Sequence, residues 1–221
     1  MVATTPQKKD NRTLRAFNFN IETREDEENR GILEGRAIVY NSETDLGYFR
    51  EIIESGALKN TNLKDVRFLV NHNTDMIPLA RSRNNNENST MQLIPDDEGL
   101  RIRVKLDIEN NTDAAALYSA VKRGDVSGMS FMFNVRGEKW EDENTDSPLR
   151  RVTDIEQVFE VSAVTFPAYE ETDINARCKA ELESCRAALD SARSKTPDGV
   201  GVDDKATLKL LKMKNQILGG F

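Results

Sequence analysis

Gly124-Asp-Val-Ser-Gly-Met-Ser-Phe-Met-Phe133 changes its period midway. Gly124 and Gly128 bracket a short polar turn, after which Phe131, Phe133 and Val135 alternate with Ser130, Met132 and Asn134. Alternation at every second residue is the period of a strand. Upstream, Asp113-Ala-Ala-Ala-Leu-Tyr-Ser-Ala-Val-Lys-Arg-Gly124 reads as a helix. Asp113 is its expected N-cap, Lys122 and Arg123 suit its last turn, and Gly124 stops it. Ser130 thus stands where a tight turn hands over to a strand, beside backbone N–H groups that pairing can leave free. Such a serine suits an acyl-transfer nucleophile with an oxyanion hole. The competing reading is a half-buried strand serine bonded to a neighbouring carbonyl.

Outward from this stretch the chain reads as a series of short strands. Expected strands are Arg15 to Ile21, Gly31 to Tyr40 with a kink or bulge at Gly35, Tyr48 to Ile53 and Asp65 to His72. Glu22 to Arg30 is a charge run, read as a solvated turn. Asn41 to Gly47 is read as a polar loop, and Glu54 to Leu58 as a turn opening a brief helix. Asn71 to Asp75 turns the chain, and Ile77 to Ser82 resumes it. Met91 to Pro95 and Gly99 to Leu106 form a predicted hairpin closed by Asp96-Asp-Glu-Gly99. Beyond Ser130, Arg136 to Asp146 is a charged excursion holding the only tryptophan, Trp140. Arg150 to Ile155 and Gln157 to Phe166 are two strands or one bent one. The expected architecture is mainly β with a few helices: a closed or nearly closed barrel of about seven strands, since closure removes sheet edges.

The domain division follows the composition. Residues 1–13 form an N-terminal arm, 14–170 the β domain and 171–221 a helical tail. In the tail, Ile174, Cys178, Leu182, Cys185, Leu189 and Ala192 fall at helical spacing. A Pro/Gly linker at 196–201 precedes a second lysine-rich helix, Asp203 to Leu218. The tail is expected either to pack on the barrel or to dock a partner helix.

Composition excludes several classes. The 221 residues are 38% hydrophobic and 31% charged, enough for one core under a very polar surface. A net charge of −7 argues against a general nucleic-acid binder. No apolar run approaches the ~20 residues that cross a bilayer, and Met1 to Arg12 lacks an apolar signal core. Cys178 and Cys185 lie about 10 Å apart along a helix, too far to bridge, which favours a reduced, cytoplasmic setting. One histidine and two distant cysteines do not make an ordinary zinc site. Phosphate-loop glycine signatures are absent. Neither a metal nor a cofactor is expected.

His72 is the only imidazole, so it is the one conventional base for an activated Ser130; the plainer reading is a strand-end histidine closing the row Val66, Phe68, Val70. A third group should orient the imidazole. Val158, Glu160, Ser162 and Val164 share one strand face, which makes Glu160 a carboxylate on an apolar row, costly unless paired. The opposite facing, with Gln157, Phe159 and Val161 inward and Glu160 solvated, fits the periodicity equally. Asp154 and Glu156 are rivals for the orienting role. Ser127 is the rival nucleophile, read preferentially as turn chemistry.

Five blocks then carry a resemblance: Gly31-Ile-Leu-Glu-Gly-Arg-Ala-Ile-Val-Tyr40, Phe49-Arg-Glu-Ile-Ile-Glu-Ser-Gly-Ala-Leu58, Val70-Asn-His-Asn73, Val126-Ser-Gly-Met-Ser-Phe-Met-Phe133 and Glu160-Val-Ser-Ala-Val-Thr-Phe-Pro-Ala-Tyr169. In this order, over roughly residues 14–170, they resemble the HK-type prohead maturation proteases of tailed phages, relatives of the herpesvirus assemblins. The resemblance implies a serine endopeptidase on a herpesvirus-protease-like barrel, with Ser130 as nucleophile, His72 as base and Glu160 as the acidic member. It implies as substrates the major capsid protein's scaffolding segment, or a separate scaffold, and the protease itself. It further implies a homo-oligomer acting within the procapsid in the host bacterial cytoplasm, with no specific nucleic acid and no membrane. Two departures are Met132, where the family usually has glycine, and Leu79-Ala80, where it commonly has leucine-glycine. The alternatives are a non-catalytic capsid-assembly module and an esterase of small substrates; the latter lacks its Gly-x-Ser-x-Gly elbow here.

Overall fold

The predicted hairpin forms as Met91–Asp96 (β8) and Gly99–Leu106 (β9). Along β9, Leu100, Ile102, Val104 and Leu106 are buried while Arg101, Arg103 and Lys105 face solvent, the strict alternation of a one-sided strand. Gly99 has φ 143°, and a Cβ there would sit 1.9 Å from the Ile38 carbonyl oxygen, so only glycine fits the turn. The structure is a computed structural model describing residues 13–17, 21–25, 31–47, 49–85, 87–165 and 187–194.

Before the hairpin come Thr13–Phe17 (β1), Glu22–Glu25 (β2), Gly31–Val39 (β3), Glu43–Asp45 (β4), Arg50–Ile53 (β5), Asp65–Val70 (β6) and Ala80–Arg83 (β7). After it come the helix Thr112–Arg123 (α1), Gly128–Glu141 (β10) and Leu149–Val164 (β11). Residues 187–193 are also helical. The smaller sheet runs β2-β3-β9-β8. The larger runs β1-β10-β11-β5-β4, with β6 and then β7 joining the far edge of β11. Antiparallel to β10 along one side, β11 pairs in parallel with β5 near its start and with β6 near its end. The sheets face each other where β10 lies against β3. Between them sits a core including Leu33, Ile38, Phe68, Phe131, Phe133 and Val161, all fully buried.

The mainly β architecture with helices is as expected, but the expected barrel is not what the described residues form. Neither sheet path returns to its first strand among them. The edges of the larger sheet are blunted instead by brevity and charge, as in Glu43-Thr-Asp45 and Ala80-Arg-Ser-Arg83. The β10–β11 ladder carries register shifts between Met132 and Phe133 and again from Asn134 to Glu138. Such bulges bend a strand pair sharply. The bend accompanies a buried contact between strands that are not neighbours, in which Arg15 of β1 pairs with Glu51 of β5.

Local corrections have local causes. Part of the Glu22 to Arg30 charge run is β2, with Arg24 paired to Glu34 of β3 at 3.2 Å. The Asn41 to Gly47 loop contains β4, and Glu54 to Leu58 makes hydrogen-bonded turns rather than a helix. The bulge expected at Gly35 falls between Arg36 and Ile38. The helix is capped by Asn111, not Asp113, because the Asn111 Oδ1 accepts from the N–H groups of Asp113 and Ala114. Gly124 ends it at φ 79°. Much of the charged excursion after Val135 is the continuation of β10, and the final two expected strands are one. The N-terminal arm through residue 12, both cysteines, the 196–201 linker and the last helix lie outside the described residues.

Candidate active site

Strand β6 ends at Val70, and the next two residues turn left-handed, with φ 49° at Asn71 and 56° at His72. The Asn73 N–H closes the turn on the Val70 carbonyl at 3.0 Å. Two consecutive positive φ values are the mark of a type I′ turn, and asparagine tolerates them better than most residues. His72 therefore does not continue the Val66, Phe68, Val70 row. It leaves the strand and is carried back over β11.

Three attachments hold the turn there. The Asn71 N–H donates to the Ala163 carbonyl at 3.0 Å, and the Asn71 Nδ2 donates to Thr165 Oγ1 at 2.8 Å. The His72 N–H donates to Ser162 Oγ at 3.1 Å. The imidazole Nδ1 lies 2.5 Å from Glu160 Oε1, and Ser162 Oγ donates to Glu160 Oε2 at 2.6 Å. Glu160 is 2% exposed, whereas the His72 side chain keeps 19%. A carboxylate offers only acceptors, so Nδ1 carries the hydrogen and Nε2 of the neutral ring is left with its lone pair. A neutral imidazole so arranged can accept a proton at Nε2, while the carboxylate steadies the resulting cation.

On β11 Glu160 shares its face with Ser162 and Val164, all three buried, whereas Val158, paired with Phe133 beyond the register shift, joins Val161 on the core face. Ser130 is the register partner of Ser162, and Met132 of Glu160. Directly opposed residues share a sheet face with Cβ atoms about 4.5–5.5 Å apart. Ser130, Ser162 and Glu160 thus share one face of the large sheet, while Phe131, Phe133, Val161 and Ala163 belong to the hydrophobic core. Ser130, however, bonds to neither His72 nor Glu160. It is fully buried and donates its hydroxyl to the Arg15 carbonyl oxygen at 2.5 Å, the geometry of the competing strand-serine reading.

The rivals lie elsewhere. Ser127 is exposed ahead of β10. Asp154 is bound in two places by Arg136, at 2.6 and 2.8 Å, and Glu156 is exposed. The Arg136 guanidinium beside it holds the Asp154 carboxyl below the usual range. Among the described residues no three His, Cys, Asp or Glu side chains converge as a metal site. Sequence reasoning placed a turn at Asn71 to Asp75 and Ser162 beside Glu160, but missed the left-handed start of that turn and the bonds Ser162 makes. The available signals were a serine two residues after Glu160 on the same strand face, and the asparagines on both sides of His72.

No match is found among curated proteins. Among solved structures, the chain is similar to the bacteriophage T4 capsid assembly protease, gp21. That likeness has a TM-score of 0.41 at 9% identity and covers 69% of this chain and 96% of that one. The family model described as "Caudovirus prohead serine protease" matches residues 19–186, most of the chain and all of the strands from β2 to β11, and the chain therefore belongs to the caudovirus prohead serine proteases.

Proposed function

We propose that this capsid-maturation serine protease uses Ser130 as nucleophile, His72 as general base and Glu160 as the group that orients the imidazole. The observation that carries the reading is the 2.5 Å contact of His72 Nδ1 with a carboxylate that is 2% exposed. It presets the tautomer whose Nε2 takes a proton. Catalysis begins when the Ser130 hydroxyl swings about χ1 away from the Arg15 carbonyl, between staggered positions, toward the imidazole. Its proton passes to Nε2 as Oγ bonds the peptide carbonyl carbon. The imidazolium then returns that proton to the departing amine, and water releases the acyl group by the same route.

The substrates in this reading are the scaffolding segment of the major capsid protein or a separate scaffold, and the protease itself. Cleavage takes place in the procapsid in the host cytoplasm, with the enzyme as a homo-oligomer. An extended substrate is read as an added strand.

The test is co-expression of full-length variants with the phage's own capsid and scaffold proteins. Ser130→Ala is expected to fold and leave both uncut, with Ser127→Ala cutting normally. The exposure of Ser127 against the full burial of Ser130 favours one second reading, with Ser127 as nucleophile. Cleavage surviving in Ser130→Ala and lost in Ser127→Ala would establish that one instead.

A further inference from the structure

We infer that Ser162 is a positioning residue that fixes both halves of the His72–Glu160 pair through one oxygen atom. The inference rests on the reading of that pair as base and orienting acid. A serine hydroxyl has one proton to give and two lone pairs to receive with. The proton of Ser162 goes to Glu160 Oε2 at 2.6 Å, and a lone pair takes the His72 N–H at 3.1 Å. The two carboxylate oxygens are therefore held by different groups, Oε1 by the imidazole and Oε2 by Ser162, so the carboxylate plane is fixed from both ends.

The backbone side of the clamp matters as much. His72 sits at φ 56°, a conformation that side-chain-bearing residues keep only where the surroundings hold them. Its N–H is the handle by which β11 does so. Ser162 is fully buried, and on β10 it faces Ser130, so the clamp stands between the base and the proposed nucleophile. Alanine at this position leaves a buried carboxylate oxygen and the turn N–H without this shared partner. The carboxylate then turns, and the ring follows it.

Because the chain has one histidine, its imidazole can be watched alone by proton and nitrogen NMR. The full-length wild type is expected to show a downfield Nδ1–H resonance and nitrogen shifts of the Nδ1–H tautomer. In Ser162→Ala that resonance is lost and the shifts move toward a tautomer mixture. Labelling by a fluorophosphonate is expected to slow about 100-fold at saturation, the cost typical of a misplacement near 1 Å, with the half-saturating concentration unchanged. Ser162→Thr, which keeps the hydroxyl, restores both readouts. If circular dichroism shows Ser162→Ala unfolded, Ser162→Cys takes its place, a near-isosteric change to a weak donor expected to weaken the resonance and slow labelling.

An unchanged resonance and unchanged labelling in the folded variant overturn the clamp. A different result marks failure of the underlying reading: labelling that survives Ser130→Ala while Ser162→Ala still loses the imidazole signal. In that case the clamp stands and the nucleophile is reassigned.

Discussion

Two buried polar clusters sit on the large sheet, and they differ in whether anything in them can exchange a proton. In the first, both Glu51 oxygens are held by the Arg15 guanidinium, and Oε2 also accepts from Arg150 Nη1 at 2.9 Å. Arg150 reaches on to Glu138 Oε2 at 2.5 and 2.8 Å. Two guanidiniums face two carboxylates, and a guanidinium does not give up its proton in a protein. In the second, one buried carboxylate faces a hydroxyl and an imidazole, a ring with one nitrogen able to accept a proton and another able to donate one. Burial is alike for Glu51 and Glu160, at 2% each. What separates a tie between strands from a candidate catalytic pair is the partner. The clusters meet at one residue, since the side chain of Arg15 belongs to the first while its carbonyl receives the Ser130 hydroxyl.

Matched substitutions test that contrast. Glu160→Gln replaces a pure acceptor with an amide whose NH₂ cannot accept from Nδ1–H, favouring the wrong tautomer. Peptidase activity is expected to fall about 10⁴-fold, as when an orienting carboxylate is amidated elsewhere, with thermal stability near wild type. Retained turnover would move the orienting role away from Glu160. Glu51→Gln should do the reverse. Removing one partner of a buried ion pair costs about 3–5 kcal/mol, so urea melts should shift strongly while the imidazole resonance of the folded fraction persists. Loss of that resonance would mean that the two clusters are one mechanical unit.

Acid should also separate them. Burial opposes the Glu51 charge, but Arg15 and Arg150 more than offset it and hold the carboxyl below its ordinary value of 4.5. A carboxyl depressed in the fold stabilises at pH values above its unfolded pKa, and that stabilisation fades as pH falls through the folded one. The stability gap between wild type and Glu51→Gln should therefore be full at pH 7 and shrink below about pH 4.5. Asp96, whose carboxyl the Arg36 hydrogen bond lowers to about 2, stabilises with the same sign in both proteins and therefore drops out of the gap. A gap that stays constant from pH 7 to pH 3 would rule out the ionised Glu51 tie.

Much of this was legible in the sequence because period and turn chemistry are local. The β8–β9 hairpin, the Gly124 stop and the strand after Gly128 follow from alternation and glycine placement. The facing of Glu160 was not legible, because a register shift between Met132 and Phe133 puts Val158 and Val161 on the same core face and breaks the alternation that either reading assumed. His72 misled for a related reason. Val66, Phe68 and Val70 invite one more step of alternation, but the chain leaves the strand after Val70, and the hydrogen bonds that reward the turn come from Ala163, Ser162 and Thr165, about 90 residues away. The Arg15–Glu51 tie depends on a bend in β10 and β11 set by register shifts that no single strand's pattern announces. The same non-local pairing gives Ser130 its carbonyl partner.

The smallest expected effect serves as the control for the rest. Asn111 caps α1 through hydrogen bonds of 3.0 and 3.2 Å to the Asp113 and Ala114 N–H groups. The helix packs Ala114, Leu117, Tyr118 and Val121 toward the small sheet, away from both clusters. Asn111→Ala should cost about 1 kcal/mol, a fall in Tm of roughly 2–4 °C for a domain of this size. It should leave the imidazole resonance and the fluorophosphonate rate untouched. General loosening of the fold and specific loosening of the His72–Glu160 pair then become separable. If a lost helix cap blurs the imidazole as much as a lost Ser162 hydroxyl does, the signal reports global stability, and the distinction between the two clusters fails with it.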